Sequence, residues 1–208
     1  MTHTIQHLPR TILLAAALAA TSLAIGMFAN ADEDSATNRS AGAAWGPQWT
    51  ADGKLKLPED YHEWIFLGAP LTPHALNGGE APFPEFHNVY VQPEAFHAYK
   101  TSGTWPEGTM MFKELQLLRN GDSADGSSVE VSGRGYFPGA LNGVDVSVKD
   151  SRRFADTNGW GFFNFGHHAP PYAGVAEAQP VDACAGCHIA NATDMVFLKF
   201  YSPILGAD

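Results

Sequence analysis

The chain has only two cysteines among its 208 residues, and both lie near its C-terminal end, in the stretch VDACAGCHIANATD that runs from Val181 to Asp194. Cys184 and Cys187 are separated by two residues, and His188 follows directly. Whatever these three side chains hold, the rest of the chain must fold around it. A disulfide between them would close a very small loop and add little stability. A redox-active C-x-x-C normally goes with a thioredoxin-like βαβ pattern, and this sequence has none. Zinc is a poor match, because no second pair of ligands is spaced to complete a structural site. The remaining reading uses all three residues, since C-x-x-C-H is the attachment signature of a c-type haem. On a helical turn, residues three apart share a face. Both thiols then reach one porphyrin edge, each adding across a vinyl group, and His188 becomes the axial ligand of the haem iron.

The N-terminus reads as an export signal. A polar start with one basic residue, Arg10, precedes the apolar run TILLAAALAATSLAIGMF, and Ala29-Asn30-Ala31 ends it in small-x-small form. These are the three regions of a secretory signal peptide over residues 1–31. A retained membrane anchor is the alternative. Arg10 has no arginine neighbour, so the route is of the Sec type and the destination is the periplasm. The formal net charge of −10 disfavours nucleic acid as a partner.

Residues 32–58 are polar and lack periodicity, and read as a flexible lead-in. Beyond them, DYHEWIFLG (60–68) predicts a short helix, FHNVYV (86–91) a strand, and PEAFHAYKTSG (93–103) a helix with proline in its first turn and glycine at its stop. TMMFKELQLL (109–118), VEVSGRGYF (129–137), GVDVSVKD (143–150) and WGFFNFG (160–166) predict further strands with compact turns, hence an antiparallel sheet. TDMVFLKFY (193–201) predicts a last helix. The fold class is α+β: an antiparallel β-sheet with flanking helices in a single haem-binding domain.

That order departs from small electron-carrying cytochromes, which place the motif early and supply a methionine far downstream. Only Met195 follows the motif here, and it is too near in sequence to reach the opposite face of the haem easily. His62, His74, His87, His97, His167 and His168 each read better as surface or satisfied core residues than as a second axial ligand. An open iron site suits ligand chemistry. A proton acceptor near the iron would be needed for oxidation of a protic substrate, and neither Glu114 nor Asp182 can be placed there by sequence. Aromatics including Phe112, Tyr136, Phe137, Trp160, Phe162, Phe163 and Phe165 are available to line a pocket or fill the core.

Four segments together resemble the cytochrome P-460 family, which includes the cytochromes c′-β: FPEFHNVYVQPEAFHAYKTSGTWPEGTMMFKELQ (83–116), GVDVSVKD (143–150), GWGFFNF (159–165) and CAGCHIANATDMVFLKFYSPIL (184–205). The resemblance covers most of the chain after Tyr61 and makes 59–208 a P-460-like c-type haem domain. It implies one covalently attached haem c with iron held by His188, an open opposite site and a homodimer. It also implies hydroxylamine oxidation, with electrons passed to an exported electron-transfer protein. By its place in the GT-xxx-KE stretch, Lys113 matches the lysine that P-460 members bond to the porphyrin. The c′-β branch lacks that bond and binds NO and CO. A simple electron carrier is the third possibility. Strand alternation puts Lys113 on one face with Met111, Leu115 and Leu117. A buried lysine must lose its charge or find a partner, and a neutral amine is a nucleophile.

Overall fold

The computed structural model describes residues 45–206. The expected signal peptide (1–31) and the lead-in as far as residue 44 lie outside the described residues. The strands are β1 (Leu55–Lys56), β2 (Ile65–Gly68), β3 (Phe86–Val91), β4 (Met110–Leu118), β5 (Ser128–Glu130), β6 (Gly133–Gly135), β7 (Pro138–Lys149), β8 (Trp160–Gly166) and β9 (Val175–Ala176). Helix α1 (Pro93–Ser102) separates β3 from β4, and α2 (Gly186–Asn191) and α3 (Ser202–Leu205) follow the last strand. A five-stranded antiparallel sheet, ordered β2-β3-β4-β7-β8, is the frame of the molecule. The expected α+β class and antiparallel sheet are therefore present.

The sheet separates two apolar cores, and strand alternation decides which residue enters which. On one face, Val89, Val91, Met111, Trp160 and Phe162 pack with Ala95 of α1, Ala185, Met195 and Ile204. On the other, Phe112, Val144, Val146, Val148, Phe163 and Phe165 pack with Leu55, Trp64 and Ala176. Helix α1 starts at Pro93, whose missing N–H costs nothing there, and ends at Gly103, whose φ of 73° closes the last turn onto the Tyr99 carbonyl.

Four expectations need correction. Residues 45–58 of the lead-in are not featureless: Trp49 bridges Leu55, β1 pairs with β9, and Leu55 is fully buried. The stretch 60–68 makes only a 3₁₀ turn, Tyr61–Glu63, before Ile65–Gly68 joins the sheet edge opposite Val91. Pairing to β3 there outweighs a weak local helical preference. The stretch 129–137 is not one strand, because β5 and β6 fold on each other in a hairpin, with Gly133 at φ 116°. Residues 193–201 do not form one continuous helix: only a single 3₁₀ turn, Leu198–Phe200, is helical. Asp194 and Met195 both have left-handed φ, 46° and 62°, in a tight turn closed by paired hydrogen bonds between Thr193 and Val196. An ion pair from Asp194 to Lys149 at 3.2 Å and the buried Met195 side chain fix that turn against the sheet. Among the described residues, no helix is long and apolar enough to cross a membrane.

Candidate functional site

The cysteine motif sits on a wide π-helical turn, Val181–Ala185, that runs into α2. Pro180 sets the entry, and Ala185 anchors the turn in the core beside Met111 and Phe162. Neither cysteine is in a disulfide; Cys184 is half-buried and Cys187 exposed. Burial raises the Cys184 pKa and keeps it a thiol.

His188 is held by two independent constraints. Its Nδ1 lies 2.7 Å from the Met195 carbonyl oxygen, and its ring packs between Phe162 and Phe197, with centroids 4.5 and 4.8 Å away. With Nδ1 donating to a carbonyl, Nε2 is left as the lone-pair nitrogen for a metal. Burial lowers the imidazole pKa, favouring the neutral form that a ligand requires. The left-handed turn at Asp194–Met195 is what presents that carbonyl. Met195 is itself buried in the core, its sulfur 3.7 Å from the Asn158 amide nitrogen.

The sheet face that carries the motif also carries a polar row. Its register runs Val89, Lys113, Asp145, Asn164 across β3, β4, β7 and β8. Lys113 Nζ lies 2.7 Å from Asp145 Oδ2, and the Asn164 amide donates to Asp145 Oδ1 at 2.7 Å. His167 Nε2 is 3.3 Å from the same carboxylate. Burial alone would raise the Asp145 pKa, but the contacts from His167, the Lys113 ammonium and Asn164 hold the carboxyl well below the usual carboxylate range. Phe83 packs 5.1 Å from Lys113 Nζ. The row and the motif lie on one face of the sheet: Met111 and Phe162, which fall on the same strand faces as Lys113 and Asn164, share a core with Cys184 and Ala185. His87 lies on this face too, and its buried Nε2 has no hydrogen-bond partner.

The expected apolar row around Lys113 holds for Met111 and Leu115, which are buried, whereas Leu117 is exposed. Lys113 stands in the middle strand of the sheet, so it has no edge to reach, and its partner is an acid. Glu114 points the other way. It is buried in the second core, where it accepts from Tyr61 Oη at 2.6 Å and from Asn88. Of the aromatics read from sequence, Trp160 and Phe162 border the motif's core, while Phe112, Phe163 and Phe165 lie on the opposite face. Phe83, Phe197, Asp145 and Asn164 were missed, and His167 was read only as a surface or core histidine. Asp145 had a signal, being the polar residue between Val144 and Val146. A surface cleft lined by Pro73, His74, Pro84 and Arg119 contains none of these residues.

The donor set fits a haem. Two unbridged thiols three residues apart on a helical turn are suited to a porphyrin edge, and a neutral imidazole with one nitrogen already engaged is suited to the iron. A search of curated proteins finds no match to the chain. The Cytochrome P460 family model matches residues 58–198, from just before β2 through the motif and the turn that holds His188. That match covers most of the structured chain, and the fold and site agree with it: this chain belongs to the cytochrome P460 family, whose members are haem proteins.

Proposed function

We propose that this is an exported mono-haem cytochrome that oxidises hydroxylamine and passes the electrons to a periplasmic redox protein. Cys184 and Cys187 hold the haem through thioethers, and His188 ligates its iron. When bound, the haem supplies a redox-active iron and an electron-poor ring. The observation that carries the reading is the Lys113–Asp145 pair on the sheet face that looks towards the motif.

Each residue of that row has a task. Asp145 Oδ2, 2.7 Å from Nζ, holds and orients the lysine nitrogen. A neutral amine, left when that nitrogen loses its proton, would be the form able to bond to a ring carbon, and the bond would require that carbon to lose its hydrogen and an external oxidant to take two electrons. Were the amine bonded to a haem, Asp145 would keep its contacts from His167 and Asn164 but lose the Lys113 ammonium that also lowers its pKa, so its affinity for protons would rise. The carboxylate is then a better acceptor for the protons that hydroxylamine sheds on oxidation. Asn164 holds its Oδ1 and fixes its orientation. Phe83, Phe162 and Phe197 restrict water around this space.

A second reading has its own support in the same pair. An ammonium held by a carboxylate is not a nucleophile, and with Lys113 left in that state the protein is a binder of NO or CO of the c′-β kind. A homodimer is expected for either reading. Hydroxylamine-dependent reduction of a soluble electron acceptor by the holoprotein separates the two. The enzyme reading predicts turnover that is lost in Lys113→Ala. No turnover in the wild type, with tight NO binding, favours the second.

A further inference from the structure

His167 stands just beyond the end of β8, and three backbone features bring its ring back to Asp145. The pairing of β7 with β8 shifts between Val144 and Asp145, so that Val144 faces Gly166 while Asp145 faces Asn164. Gly166, at φ 135°, turns the chain out of the strand in a conformation that a side chain resists. Gly143 leaves room for the ring: a Cβ there would lie 3.0 Å from His167 Cδ2 and 3.0 Å from the Gly166 carbonyl oxygen. As a result His167 Nε2 lies 3.3 and 3.4 Å from the two Asp145 oxygens. Asp145 is mostly enclosed, with 21% of its side chain exposed, while 46% of the His167 side chain is exposed. One residue of the pair faces the site and the other faces water.

We propose that His167 is the proton outlet of the site: a proton collected by Asp145 passes to His167 Nε2, and the exposed ring releases it to solvent. The inference rests on the reading of Asp145 as the proton acceptor. Only a proton moves. Asp145 returns to the carboxylate; neutral His167, with its proton on Nδ1 and Nε2 free to accept, becomes imidazolium, and loss of the Nδ1 proton to water followed by return of the ring to that tautomer restores the start. The charged groups facing His167 are Asp145 of β7, Lys113 of β4 and Glu85 before β3. The hydrogen bond to Asp145 raises the imidazole pKa above its ordinary value.

Binding of hydrogen cyanide to the ferric holoprotein tests this without turnover, since the ligand must give up its proton. Stopped-flow association rates are measured across the neutral pH range for the wild type and for Asp145→Asn, His167→Gln and His167→Ala. The outlet predicts that His167→Gln, which keeps a hydrogen-bonding side chain but cannot titrate, slows association by about tenfold and loses the wild-type pH step. Added 2,6-lutidine, a base of imidazole-like strength too hindered to ligate the iron, restores the rate of His167→Ala and does not restore Asp145→Asn. The titration of His167, followed by NMR, moves to lower pH in Asp145→Asn. A wild-type rate and pH profile in His167→Gln, or failure of 2,6-lutidine to rescue His167→Ala, overturns the outlet. If Asp145→Asn is slowed and His167→Gln is not, only the outlet fails. If Asp145→Asn is also unaffected, the acceptor reading beneath it fails as well.

Discussion

The carbonyl oxygen of Met195 accepts a hydrogen bond from Nδ1 of His188 at 2.7 Å, and it does so from a turn in which Asp194 and Met195 are both left-handed. A non-glycine residue at such φ costs roughly 1–2 kcal/mol. The fold tolerates two in succession because the Lys149–Asp194 ion pair, the buried Met195 side chain and the Thr193–Val196 bridge fix the turn. What the turn provides is a histidine with one defined tautomer and a free Nε2.

Substitutions at Asp194 test that role. Asp194→Asn tolerates the left-handed conformation and should change stability by less than about 1 kcal/mol. Asp194→Pro locks φ near −65° and should cost about 3 kcal/mol or more in urea unfolding. It should also release the His188 ring, seen in the holoprotein as a change in the iron's axial ligation by resonance Raman spectroscopy. Unchanged ligation in Asp194→Pro would show that the turn does not orient the histidine.

The Lys113–Asp145 pair predicts a strong non-additivity. Asp145→Ala strands a partly buried ammonium and should cost about 1–3 kcal/mol. Lys113→Met strands the carboxylate less severely, because His167 and Asn164 still contact it. The double variant should therefore be more stable than the sum of the two single losses implies. A double-mutant cycle by urea denaturation reads the coupling, and additive losses would mean that the pair contributes nothing.

Legibility in the sequence followed the range of each signal. The motif is local, and so is the alternation in TMMFKELQLL that sets Lys113 with Met111 and Leu115 and opposite Phe112. The alternation in GVDVSVKD likewise marks Asp145 as facing away from its valine neighbours. That Asp145 lies beside Lys113 was not legible, because it depends on the register between β4 and β7, a tertiary choice that no single strand encodes. His167 was hidden further, behind a register shift and the positive φ of Gly166. The segment 193–201 has a helix-like composition, and nothing local announces two left-handed non-glycine residues. The tertiary contacts of Asp194 and Met195 decide it.

His87 makes the fold pH-dependent. Burial, with the nearby Lys113 charge, pushes its imidazole down to about 4. The unfolded chain takes up that proton near pH 6.5, so the contribution is complete above about pH 6.5 and is lost as the pH falls towards about 4. The loss is at most about 3 kcal/mol. His167 acts in the opposite sense: its raised pKa gives stability below the unfolded value that is lost as the pH rises. The urea midpoint of the wild type should therefore fall between about pH 6.5 and 4, and His87→Gln should flatten that fall. An equal fall in both proteins would assign it elsewhere.

The central claim is that Lys113 and the cysteine motif hold the same haem from two sides. Tryptic peptide mass spectrometry of the holoprotein tests it most directly. The account predicts one haem per chain, recovered on a cross-linked species that contains both the Cys184–Cys187 peptide and the peptide bearing Lys113. Haem on the cysteine peptide alone, with the Lys113 peptide running free, would contradict it.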